Sequence, residues 1–276
     1  MTFKPPPTTM FRHPPRSWGA VTATVLFLWL WTGTAAAGTT THVAIATNFM
    51  PAWEAIHTAF NAHHPHRATA SFGATGQLAV QIRQGAPVDL FLAADLRRPL
   101  ELVESGHGVA DSVFVYARGR LVLWSRDDNL IDANGAVLQS ERIGPLAIAN
   151  PSVAPYGAAA ASVLRELGVD ALWHQRLVLG NNIAQTEQFV VTGNAPLGFI
   201  SLAQWRAHHA RRGSHWLVPE PLHPPIEQAG VLLQRGKDNP AAIALMQFLR
   251  SPEAAALLTE LGYSRSSLGQ DPQHVP

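Results

Sequence analysis

From Thr41 onward, short apolar runs alternate with stretches whose apolar residues recur at helical spacing, and this alternation constrains the fold most strongly. Residues 43–46, 68–72 and 88–93 are too short for helices and read as buried strands. Between them, Trp53, Ile56 and Phe60 share one helical face after Pro51, and a short helix covers 77–84. Asp95 stands where it can cap the next helix. A β-α-β-α-β-α order implies parallel strands joined by right-handed crossovers.

The pattern then breaks twice. Residues 113–124 hold two strands around Arg118-Gly119, either a hairpin or a crossing between domains. The alternation restarts at 146–149, and the helix after Tyr156 places Ala160, Val163, Leu164 and Leu167 on one face. Residues 177–179, a helix over 184–191 and residues 197–200 continue the series. The string PEPLHPP at 219–225 has four prolines in seven residues and reads as a second crossing. A strand ending at 231–233, a helix carrying Ala242, Leu245, Met246 and Leu249, and a last helix over 252–261 follow. The expected fold is α/β with two lobes, each a mostly parallel sheet flanked by helices, and a ligand cleft between them. Lobe 1 is expected to be discontinuous, 38–117 plus 222–270, with lobe 2 spanning 118–221. A flexible tail is expected over 271–276, with disorder confined to residues after about 266.

The first 38 residues have the three parts of a secretory signal. Their only charged side chains are Lys4, Arg12 and Arg16; an apolar run covers 18–31; small residues Ala35 and Ala37 precede Gly38. The run is shorter than the ~20 residues needed to span a bilayer. Residues 1–37 are therefore read as a cleavable signal peptide, and the separated arginines argue against a twin-arginine route. Cleavage removes three of the 20 Lys and Arg and none of the 19 Asp and Glu, turning the formal charge from +1 to −2. No basic stripe remains for nucleic acid. The chain has no cysteine, which excludes disulfides, thiolate metal sites, a cysteine nucleophile and a lipid-modified N-terminal cysteine. The expectation is a periplasmic protein without a lipid anchor.

Ligands of open α/β sheets bind beyond the carboxyl ends of the strands, which singles out three strand-to-helix junctions, at 46–51, 72–77 and 150–157. Each places hydroxyl or amide side chains where helix N-terminal N–H groups lack intrahelical partners. Taken singly, each reads as ordinary N-capping. Converging on one cleft, they make an anion site, because a helix N-terminus offers donors and about half a positive charge. None of the three contains Lys, Arg, Asp or Glu. Phosphate at neutral pH keeps a proton and needs an acceptor for it, whereas a fully deprotonated dianion needs donors only. Sulfate, molybdate and tungstate fit that condition.

Four strings, VAIATNF, FGATGQLAVQIRQGAPVDLFLAAD, NPSVAPYGAAA and NAPLGFISLAQW, resemble in sequence and order the periplasmic molybdate-binding proteins of ABC importers, the ModA family. The segment G-x-x-x-x-L-x-x-Q-I-x-x-G-A-P-x-D-L-F, Gly73 to Phe91, is the most specific part. The resemblance implies a type II periplasmic-binding-protein fold, no cofactor, and a monomer that captures molybdate or tungstate for a membrane permease. Carried over by position, it puts the ligand contacts on Thr47 and the Asn48 amide, the Thr75 hydroxyl, and the backbone N–H groups of Tyr156 and Ile183. Ser201 stands where some members have a tyrosine, so that contact is expected to be missing.

Other features have plainer readings. Thirteen histidines invite a metal, but there is no His-Glu-x-x-His pattern. The groups His57, His63, His64, His66 and His208-His209 are read as solvated surface, with no metal expected beyond that of the oxyanion. Asp89 and Asp95 are read as structural caps or hinge contacts, and Trp53, Trp124 and Trp205 as core. An exported hydrolase is the competing class, yet no G-x-S-x-G elbow or Ser, His and Asp set stands out. A binding protein for sulfate or another tetrahedral oxyanion is the nearer alternative.

Overall fold

The computed structural model describes residues 1–4 and 38–265. The expected signal peptide, apart from its first four residues, and the expected tail lie outside the described residues. Residues 38–265 belong to one compact unit, and no described helix is long and apolar enough to cross a membrane.

Strands β1 (Thr40–Ala46), β2 (Arg67–Gly73) and β3 (Leu90–Ala93) alternate with helices α1 (Met50–His63), α2 (Thr75–Arg83) and α3 (Arg97–Glu104). Strand β4 (Phe114–Gly119) is followed almost at once by β5 (Leu121–Ser125). Then come β6 (Leu146–Ala149), α4 (Pro155–Glu166), α5 (Asp170–Trp173), β7 (Leu177–Gly180), α6 (Ile183–Val191), β8 (Leu197–Ser201) and α7 (Leu202–Gln204). Strands β9 (Ser214–Leu217) and β10 (Ile226–Leu232) and helices α8 (Pro240–Leu249) and α9 (Pro252–Glu260) complete the described chain.

Two five-stranded sheets result, ordered β2-β1-β3-β10-β4 and β7-β6-β8-β5-β9. Both interruptions in the alternation are crossings. Strands β4 and β5 lie in different sheets, and so do β9 and β10. In each sheet, four strands point one way and one is reversed: β10 in the first and β5 in the second. The reason is geometric. The parallel strands end at the edge facing the other lobe, as the pairing of Gly119 with Ile226 and of Ser201 with Leu121 shows. A strand arriving from the other lobe starts at that edge and must run away from it.

Both faces of each sheet are covered, which is why the central strands read as continuous apolar runs. Val43, Ile45, Leu90 and Leu92 pack against α1 and α8 through Ile56, Phe60 and Leu245, while Ala44 and Phe91 face Leu78, Ile82 and Leu102. The second sheet divides likewise between Leu146, Ile148, Leu197 and Phe199 on one face and Val122, Trp124 and Ile200 on the other. Trp53 and Trp124 are core as expected, and Trp205 is half-buried. Asp95 accepts from the Arg98 N–H at 2.9 Å and pairs with its guanidinium at 2.6 Å, tying down the first turn of α3, although the N-cap position itself is Leu96. Asp89 ties the first turn after β10 to β1, accepting from His42 N–H, Arg235 and Asn239. The two crossings are held together by Arg120, whose guanidinium lies 3.2 Å from Glu220, and by Arg118, which pairs with Glu227 at 2.8 Å.

Candidate oxyanion site

The edge where parallel strands end carries the helix N-termini singled out above. Ala46 precedes a single 3₁₀ turn, Thr47–Phe49, that leads into α1; Ala74 precedes α2 and Ala154 precedes α4. At all three starts no side chain caps the helix. The plain N-capping reading therefore fails here, although α7, α8 and α9 do have side-chain caps, from Ser201, Asn239 and Ser251. Alanine has no side-chain acceptor, so the first-turn N–H groups are left for something else. Pro155 has no N–H, which makes Tyr156 the first donor of α4. At α6, Asn182 caps Gln185, and the N–H of Ile183 precedes the capped one.

These starts converge. Ala46, Ala74, Ala154, Tyr156 and Ile183 belong to one apolar cluster, and the Thr47–Phe49 turn packs against α6. The N–H of Gly76, in α2, donates to Val153 O at 2.8 Å, a backbone bond from the first lobe to the second. Thr47, Asn48, Thr75, Tyr156 and Ile183 are each at most 6% exposed. The sequence-predicted residues thus lie together in a dehydrated place where donors are strong.

Their side chains are less uniform than the sequence suggests. The Thr75 hydroxyl accepts from Ala94 N–H at 3.1 Å, which leaves its proton to donate. Asn48 is different. Its amide donates to Gln228 Oε1 at 2.7 Å, with Tyr263 Oη at 3.3 Å, and Tyr263 donates back to Asn48 O at 2.9 Å. Gln228 Nε2 faces Ile226 O at 3.2 Å, which fixes Oε1 as the acceptor. In this arrangement the Asn48 amide is a strut between the turn, β10 and Tyr263. Ser201 spends its hydroxyl on a capping box with Gln204.

Gln228, Tyr116 and Tyr263 are the neighbours that sequence reasoning missed. The chain has three tyrosines, and all three gather here. Phe49 meets Tyr116 and Tyr263 edge-on at 5.2 and 5.7 Å. Burial pushes the Tyr156 hydroxyl well above its ordinary pKa, helped by Tyr263 and Tyr116 and opposed by Asn48. Burial does the same for Tyr116 and Tyr263. All three stay neutral; Tyr263 donates to Asn48 O, while the buried hydroxyls of Tyr116 and Tyr156 have no hydrogen-bond partner among the described residues. The signal available was a glutamine inside the apolar run of β10.

One surface reading is overturned. His209 is not solvated: it stacks on Trp124 at 3.8 Å, and both it and His208 reach the buried carboxylate of Glu187 at 2.7 Å.

Two lobes joined by two crossings, with uncharged donors converging between them, define an extracytoplasmic solute receptor. The chain belongs to the bacterial extracellular solute-binding protein family, which matches residues 41–264. Within it, the chain falls among the ModA proteins. It is 46% identical over 222 residues to the molybdate-binding protein ModA of Azotobacter vinelandii, covering 80% of this chain and 88% of that one. It is 42% identical to ModA of Rhodobacter capsulatus, covering 87% and 94%. Among solved structures, the periplasmic molybdate-binding protein of A. vinelandii superposes with a TM-score of 0.79 at 36% identity, over 82% of this chain and all of the other. The sulfate-binding protein SubI of Mycobacterium tuberculosis, at 17% identity and a TM-score of 0.69, covering 83% of this chain and 88% of that one, shares the fold.

Proposed function

We propose that this protein captures molybdate, with tungstate as its close analogue, and delivers it to the permease of an ABC importer. The carrying observation is the convergence of uncapped helix starts in a buried place whose loops contain no charged side chain. Such a place favours a tetrahedral dianion that needs donors and offers no proton. Similarity to the ModA proteins selects molybdate over sulfate. The donors in this reading are Thr47, the Asn48 backbone, Thr75, and the backbone N–H groups of Tyr156 and Ile183. Thr75 and the Thr47–Phe49 turn sit on the lobe of the first sheet; closure brings in the lobe of the second. The protein works as a monomer in the periplasm after cleavage behind Ala37.

Titrating molybdate, tungstate, sulfate and phosphate against the mature chain tests this, with melting temperature as readout, since a ligand that binds only the folded state raises it. Molybdate and tungstate should stabilise alike, sulfate less, and phosphate least. Equal stabilisation by sulfate would overturn the selectivity. No stabilisation by any of the four would overturn the site.

A further inference from the structure

After α7 the chain makes a single π-helical turn, Trp205–His209. Widened turns of this kind occur often at functional sites, because they re-aim consecutive side chains. Here the widening brings two adjacent histidines back onto α6. His208 Nδ1 and His209 Nε2 each lie 2.7 Å from the same oxygen, Glu187 Oε1. The three ligand-bearing groups fall within 4.8 Å of one another. The two rings stand at 80° with centroids 5.7 Å apart, so they approach that oxygen from different directions.

The groups around them hold this geometry. Glu187 is 6% exposed, and its other oxygen accepts from Gln204 Nε2 at 2.7 Å. Gln204 is fixed in turn by the Ser201 capping box and by its contact with Ile183 O. The indole of Trp124 lies parallel to His209 and sets its ring plane. His209 is 11% exposed and His208 50%, so the cluster is walled on one side and open to solvent on the other. Burial alone would raise the Glu187 carboxyl, but hydrogen bonds from His209 and His208 outweigh it and hold the group below its ordinary pKa.

Two imidazoles can share one carboxylate oxygen only if each turns an N–H towards it. A cation in their midst satisfies the same three atoms without either proton. One carboxylate oxygen and two imidazole nitrogens are the donor set of a first-row divalent ion, with zinc distances of about 2.0–2.2 Å. Three protein ligands beside an open face leave room for water. A carboxylate that is itself hydrogen-bonded by Gln204 resembles the outer supports that orient metal ligands. We propose that Glu187, His208 and His209 form a site for a divalent transition ion, zinc being the best fit.

The test uses the mature chain, stripped with a chelator and titrated with Co²⁺, whose visible absorption reports coordination, and with Zn²⁺ by calorimetry. One ion per chain should bind, with cobalt bands typical of nitrogen and oxygen ligation, and Zn²⁺ should raise the melting temperature. Loss of a ligand should weaken Zn²⁺ by at least tenfold, since even supporting groups are worth ~10–100-fold. Glu187→Gln should show this. His208→Ala, at an exposed side chain, keeps the test decisive if the buried substitution fails to fold. His63→Ala and His57→Ala, on α1, should leave binding unchanged. Absent cobalt bands, binding that survives His208→Ala, or binding lost in His63→Ala would overturn the proposal.

Discussion

The amide of Asn48 donates to Gln228 Oε1 at 2.7 Å, joining the Thr47–Phe49 turn to a strand 180 residues further along the chain. Gln228 is fully buried in β10, the strand that re-enters the first lobe from the second. Replacing it with leucine keeps the volume roughly but removes the nearer acceptor of the Asn48 amide, leaving one of its N–H groups unpaired with only Tyr263 Oη, at 3.3 Å, still in reach. A buried donor left unpaired costs about 1–3 kcal/mol. Gln228→Leu should lower the urea midpoint accordingly. It should also weaken molybdate by about tenfold per 1.4 kcal/mol of lost positioning. A variant with unchanged stability and affinity would show that the strut is idle.

The three tyrosines give a pH signature. Each has its hydroxyl raised from an ordinary value of 10.0 in the folded chain. The unfolded chain releases these protons near 10, whereas the folded chain retains them. The stability they contribute is therefore intact below about pH 10 and is lost as pH rises beyond it. Phenolate absorbance should stay flat through pH 10–11 in the native protein, then rise together with unfolding. Ordinary titration near pH 10 with native circular dichroism retained would contradict the burial.

Gly119 closes β4 beneath the Tyr156 hydroxyl. A methyl group there would sit 2.0 Å from Tyr156 Oη and 3.0 Å from Gln228 Nε2. A phenol ring is rigid, so Gly119→Ala should displace Tyr156 and with it the start of α4. Overpacking of this kind costs about 1–3 kcal/mol. Thermal unfolding should show that loss, and calorimetry a parallel fall in molybdate affinity. Tyr156→Phe in the same chain removes the contact with Oη but leaves the ring carbon at 2.9 Å, so it should recover part of the lost stability.

The strands, the crossings and the three junctions were legible in the sequence because each rests on local chemistry: apolar runs, proline clusters and helix starts. That Thr47, Thr75 and Tyr156 lie buried near one another followed from these and from the family strings. What the junctions do with their side chains was not legible. The diversion of the Asn48 amide depends on Gln228 and Tyr263, and nothing in the local string VAIATNF reveals a partner so distant. The two readings of the histidines differ for the same reason. His208-His209 sits in a polar run, but a widened helical turn and the distant Trp124 and Glu187 decide its burial. Long-range contacts made by single polar residues leave no periodicity to read.

Closure itself can be tested at Gly76. Its N–H donates across the lobes to Val153 O at 2.8 Å, and a Cβ there would lie 3.0 Å from Val153 Cα. Both neighbouring atoms are backbone, so they cannot swing aside as a side-chain tip would. Gly76→Val should therefore hold the lobes apart without disturbing either core. When only a fraction of molecules reaches the closed form, apparent affinity falls by that fraction. Molybdate should bind at least about tenfold more weakly, while the melting temperature of the ligand-free chain changes little. Small-angle X-ray scattering should show a compaction on adding molybdate to the natural protein that is reduced in the variant. Equal compaction in both, with equal affinity, would mean that the Gly76–Val153 contact is not part of closure.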